Sequence, residues 1–168
     1  SRHNMPERDF VADVLTVGYK GVLDFDGLYK TLSQWFKQFR YNLKELDYKE
    51  YREGGVRKLA VKWEAKKTVT DYIKYAMEIN LQLDHFADVM VKNRKRISGD
   101  LTIRIAAYLE KDYEETWSRK AWMKFLREAY DRFVLGSKMK EMQAELAQEM
   151  KMFKTEVKSF LNLQKIGK

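Results

Sequence analysis

From Ile73 to Leu83 apolar and polar residues alternate without a break. Ile73, Tyr75, Met77, Ile79, Leu81 and Leu83 are apolar, Lys74, Glu78, Asn80 and Gln82 are polar, and Ala76 is neutral. A period of two over this length predicts a long strand with one dry and one wet face. The same period runs through Arg57 to Lys67, with Leu59, Val61, Trp63 and Ala65 on one side. It returns at the end of the sheet region, where Leu101, Ile103, Ile105, Ala107 and Leu109 oppose Thr102, Arg104, Tyr108 and Glu110. Leu46 to Arg52 alternates weakly and stops at Gly54-Gly55, a turn signal. Phe86 to Lys92 predicts a further strand, entered by a turn at Asp84-His85 and followed by a turn over Asn93 to Asp100. Asp9 to Leu23 is apolar and β-branched and predicts a first strand bent at Gly18 and Gly21. Consecutive strands on short loops form an antiparallel meander, and strands this long coil, so the sheet is expected to curve strongly.

The period changes elsewhere. Leu28, Leu32, Trp35, Phe36 and Phe39 recur at helical spacing and predict a helix over 26–42, capped by Asp24 or Asp26. Ala121, Trp122, Phe125, Leu126, Ala129, Phe133 and Val134 form a wide apolar stripe ending at Gly136. The acidic group Asp112, Glu114 and Glu115 suits the start of that helix. A second helix is predicted from Ser137 to Leu163 with a narrower stripe of Met139, Met142, Leu146, Met150, Phe153, Val157 and Phe160. Steps of three and four make this a seam close to coiled-coil spacing, which favours another helix as its partner. The fold class is therefore α+β: a curved antiparallel sheet of about five or six strands packed on a C-terminal helix over 117–135, with an additional long helix after it. The domain is expected over 5–136, with 137–164 an amphipathic element for oligomerisation or docking, and with Ser1 to Asn4 an expression scar before Met5.

Composition narrows the classes. A chain of 168 residues with 45% hydrophobic and 14% aromatic content buries a proper core rather than staying disordered. The absence of cysteine excludes disulfides, thiolate catalysis and thiolate-ligated metal centres, and a reducing cytoplasm is the expected compartment. No apolar run is long enough to span a membrane, and no leader with an apolar h-region is visible. The net charge of +8 is local. Arg57, Lys58, Lys62, Lys66 and Lys67 face Glu64 alone, and Lys92, Arg94, Lys95 and Arg96 have no acid among them. Local excess of this kind is what an anionic partner reads.

Strand, helix, antiparallel meander and long C-terminal helix, in this order over about Asp9 to Leu135, resemble the helix-grip fold of the START-like (SRPBCC) superfamily. The resemblance rests on element order and no residue motif. It implies a curved sheet that wraps a helix and leaves an apolar cavity between them; with no catalytic motif in the chain, the expected role is non-enzymatic binding of a hydrophobic small molecule or lipid in that cavity.

Candidate chemistry follows from these faces. Leu59, Val61, Trp63, Tyr75, Met77, Ile79, Ile103 and Ile105, opposed by Trp122, Phe125 and Leu126, form either a ligand pocket with the Tyr75 hydroxyl and Trp63 N–H as handles or a filled core. The basic Lys92, Arg94, Lys95 and Arg96 and the strand face of Lys58, Lys62 and Lys66 offer contacts to nucleic acid or another polyanion, with Tyr48 and Tyr51 near for stacking; a solvated basic face is the simpler account. His85 beside Asp84 and Asp88 has too few ligands for a metal, and the acids before the helices are explained as caps, so no catalytic, metal or cofactor site is expected. Met139, Met142, Met150 and Met152 suit an adaptable partner surface, and residues 138–163 are expected to mediate a homodimer. No nucleophile elbow, P-loop or dinucleotide motif is present.

Overall fold

The computed structural model describes residues 7–70, 73–111 and 136–166. Its elements are β1 (Glu7–Phe10), β2 (Leu15–Leu23), α1 (Phe25–Gln38), β3 (Asn42–Glu53), β4 (Val56–Thr70), β5 (Ile73–Val91), β6 (Arg94–Lys111) and α2 (Gly136–Ile166). The strands form one curved antiparallel sheet in the order β1-β6-β5-β4-β3, with β2 also paired to β6 beyond β1. The expected α+β class is what the chain adopts.

Alternation sorts the strands into two faces. The inner face is continuous across the register: Trp63 opposes Ile79, which opposes Ile105, which opposes Leu15, and Val61, Leu81, Ile103 and Val17 form the next row. α1 lays Phe25, Leu28, Leu32, Trp35 and Phe36 against this face. Asp24 caps it, accepting from the Gly27 N–H at 3.0 Å. α2 contributes Met142, Leu146, Met150, Phe153, Val157 and Leu161 to the same core, none more than 9% exposed. Phe153 joins the two helices, its ring 4.6 Å from Phe36 and 5.0 Å from Trp35.

Several boundaries differ from the sequence reading, each for a local reason. The first strand breaks at residues 11–14 rather than at Gly18 or Gly21. β5 does not end at Asp84-His85: it continues to Val91 through a bulge between Asp84 and Ala87, with His85 left-handed at φ 51°. Opposite the bulge lies Gly99, where a Cβ would come within 2.9 Å of the Phe86 Cβ and 3.1 Å of the Asp84 carbonyl. Ser98-Gly99-Asp100 is therefore a crease inside a strand, not the close of a turn. The actual turn is Lys92-Asn93, both left-handed at φ 50° and 64°, and Arg94 already belongs to β6. The seam expected to meet a helix of another chain is turned inward: Met142 to Leu161 pack on this chain's own sheet. The predicted stripe of Trp122, Phe125 and Leu126 lies outside the described residues, as do the acids Asp112, Glu114 and Glu115.

Candidate functional site

At one end of the inner face the apolar rows give way to a polar cluster. Along β4 the inward positions run Leu59, Val61, Trp63, Ala65 and then Lys67. Lys67 opposes Tyr75 in the register, and Tyr75 opposes Leu109. A third member comes from the end of α1. Arg40 takes a left-handed φ of 67°, its N–H donates to the Lys37 carbonyl at 3.1 Å, and the Tyr41 N–H donates to the Phe36 carbonyl at 2.8 Å. This paired closure is a Schellman turn. It sets the Tyr41 ring on the core side of the chain, 5% exposed. Glu145 and Glu149, one turn apart on α2, complete the group.

Their contacts are specific. Lys67 Nζ donates to Glu149 Oε1 at 2.8 Å, and the Tyr41 hydroxyl donates to the same oxygen at 3.1 Å. The Tyr75 hydroxyl donates to Glu145 Oε2 at 3.1 Å. The Lys67 ammonium also lies 4.5 Å from the Tyr41 ring centroid and 5.6 Å from that of Tyr75, close enough for cation–π attraction. Burial, followed by the Glu149 carboxylate, pushes the Tyr41 hydroxyl far above its usual range; burial, followed by Glu145, raises Tyr75. Both phenols are thus held as donors, opposite to what a general base requires. The cluster fixes two phenols and an ammonium as hydrogen-bond donors around two carboxylates.

The predicted pocket residues Leu59, Val61, Trp63, Tyr75, Met77, Ile79, Ile103 and Ile105 are brought together and buried, none above 3% exposed. Their polar handles already have partners. The Trp63 indole N–H donates to Glu45 Oε1 at 3.2 Å, the Tyr29 hydroxyl donates to the same carboxylate, and Tyr75 is held by Glu145. Clefts of about 370, 300 and 250 Å³ open elsewhere: between α1 and α2 beside Trp35 and Phe39, on the outer face around Lys62 and Arg104, and between β2 and α2.

The basic candidates separate into two kinds. Lys58 pairs with Glu53 at 3.4 Å and Lys66 with Glu110 at 2.9 Å, so much of that strand face is neutralised within the chain. Lys62 has no ion pair among the described residues. Lys92, Arg94 and Lys95 are exposed at the β5–β6 tip, while Arg96 folds back to 3.9 Å from Asp24. His85 is exposed at the bulge; Asp84 accepts from Gln82 at 2.9 Å and Asp88 from Arg57 at 3.1 Å. Among the described residues no three His, Cys, Asp or Glu side chains are grouped to hold a metal ion, and no helix is long and apolar enough to cross a membrane.

Sequence reasoning missed Tyr41, Lys67, Glu145 and Glu149 as a site, although the period carried two of them. Lys67 continues the inward positions of β4, and Glu149 lies three residues after Leu146 and four before Phe153, on the buried side of α2. No known family model matches the chain, and no curated protein is similar to it in sequence.

Proposed function

We propose that the chain is a non-enzymatic binding domain that takes a hydrophobic small molecule or lipid with a polar head group at the end of its inner face. The carrying observation is the Tyr41–Lys67–Glu149 cluster, with Tyr41 and Glu149 buried, Lys67 partly exposed and Tyr75 beside it, set where an otherwise apolar face ends. A head group would take the Tyr41, Lys67 and Tyr75 donors in exchange for Glu149 and Glu145, with the apolar tail lying along the inner face beside them. The curved sheet closed on a C-terminal helix supports the START-like resemblance at the level of architecture. The reading is tested by adding a fluorescent fatty acid to the full chain and repeating with Lys67→Met. Saturable uptake that weakens in the variant, with the fold retained, is the expected result. Absence of uptake by carboxylate-, phosphate- and hydroxyl-headed amphiphiles alike overturns it.

A second reading rests on the β5–β6 tip, where Lys92, Arg94 and Lys95 stand exposed without ion pairs among the described residues. Contact with nucleic acid through this tip would be strongly salt-dependent and indifferent to base sequence. Arg94→Glu with Lys95→Glu is expected to abolish gel-shift of a mixed oligonucleotide at low salt; equal retardation by both proteins rejects the tip as the contact.

A further inference from the structure

The two borders of the sheet are built differently. β3 carries Lys44, Glu45, Asp47, Lys49, Glu50, Arg52 and Glu53 and is broken by a bulge between Glu45 and Asp47. Charge and a bulge are the usual means of keeping an edge from pairing with another chain. β2, reading LTVGYKGVL, has a single charge, Lys20, and keeps continuous register with β6 from Leu15 to Leu23. Among the described residues it has no strand on its other side. Alternate residues of such an edge turn their N–H and C=O groups away from the sheet.

A cleft of about 250 Å³ runs along this edge. Four consecutive β2 residues, Thr16 to Tyr19, line one wall, and Lys158, Leu161, Asn162 and Lys165 line the other. The second set recurs at steps of three, one and three, so it is one face of α2 facing one strand edge. Gly18 has no side chain to close the cleft, and a Cβ there would meet only the Leu101 carbonyl, at 3.9 Å. Lys158 and Lys165 have no ion-pair partner among the described residues; the Lys165 ammonium lies over the Tyr19 ring at 5.9 Å.

We infer that β2 accepts an extended acidic peptide as an added strand. The peptide backbone would pair with the edge that is unpaired among the described residues, and carboxylates on the side facing α2 would meet Lys158 and Lys165. Charge decides between this occupant and a second copy. Two copies joined edge to edge would set Lys158 and Lys165 of both along one seam, which repels; an acidic strand neutralises them.

The test uses the full chain and a labelled ten-residue peptide with Glu alternating with Thr, followed by fluorescence anisotropy. Binding that falls with salt, with no binding of the Lys-for-Glu counterpart, is expected. Peptides N-methylated on one alternate set of residues should lose binding, while those methylated on the other set keep it. Lys158→Glu with Lys165→Glu should weaken the Glu peptide by about tenfold and admit the Lys peptide, with thermal unfolding confirming an intact fold. Failure of the Glu peptide to bind at low salt, equal binding of both charge types, or equal tolerance of both methylation patterns overturns the inference. So does a peptide-free dimer in sedimentation that the peptide dissociates, since the edge would then belong to a second copy.

Discussion

Lys67 follows inward-facing Leu59, Val61, Trp63 and Ala65 into the interior, and an ammonium there needs a partner. Glu149, 7% exposed, supplies it at 2.8 Å. Removing one member leaves the other buried and uncompensated, which costs more than removing both. Lys67→Met should therefore lose about 2 kcal/mol, discounted because the lysine keeps some exposure, while Lys67→Met with Glu149→Leu loses less than the sum of the single changes. Urea denaturation of the cycle measures this; strict additivity would mean the pair is not coupled. The tyrosines give a second readout. Tyr29 and Tyr108 are pushed up to about 12, each chiefly by burial, and Tyr41 and Tyr75 further still. The folded pKa values exceed the unfolded one, so the folded chain holds protons that the unfolded chain releases. Stability is full below the usual phenol range near 10 and falls as pH rises from there through about 12. A tyrosinate absorbance titration should show these four groups ionising above the usual phenol range while the chain stays folded; ionisation of Tyr41, Tyr75 or Tyr108 near pH 10 in the folded protein would contradict their burial.

At the scale of elements, the C-terminal end of α1 places Tyr41 in the site, and the two ends of the helix yield opposite expectations for glycine. Arg40 holds the left-handed position of the Schellman turn that aims Tyr41, and a side chain there is strained. Arg40→Gly should stabilise by about 0.5–1 kcal/mol, read as a raised denaturation midpoint with unchanged slope. Gly27 lies within the first turn, where alanine ordinarily helps a helix. Here an added Cβ would press on the Asp24 carboxyl, with Cγ at 2.9 Å, and on the Phe160 ring at 3.2 Å. Gly27→Ala should instead cost about 1 kcal/mol by disturbing the cap; a gain in stability would show that the cap shifts freely. These cases mark what the residues made legible. Ranges and faces were readable wherever one period held, as over Ile73–Leu83 and the α1 stripe. Irregularities were not: Lys92-Asn93 as a tight turn and His85 as a bulge depend on pairing with β6, which no local pattern records. Nor did a seam of methionines state its partner, since steps of three and four suit a sheet as well as another helix.

For the molecule as a whole, the partner of that seam decides what α2 is. Met142, Leu146, Met150, Phe153, Val157 and Leu161 are core residues shared with the sheet and α1, so α2 closes the domain rather than extending from it. Burying six large apolar side chains contributes on the order of 10 kcal/mol, comparable with the whole stability of a domain, roughly 5–15 kcal/mol. A chain ending at residue 137 should therefore lose its cooperative thermal transition and expose an apolar sheet face that aggregates, rather than remain a folded domain lacking a docking element. Because truncation is severe, a point substitution gives the sharper comparison. Leu146→Asp places a charge at a fully buried position and should prevent folding, whereas Met152→Asp, at a position 39% exposed on the other side of α2, should leave the denaturation midpoint nearly unchanged. Circular dichroism during urea titration distinguishes the two. Were Leu146→Asp to fold normally while changing only the sedimentation coefficient, α2 would be an oligomerisation arm, and the core built around Phe36, Trp35 and Phe153 would have to close without it.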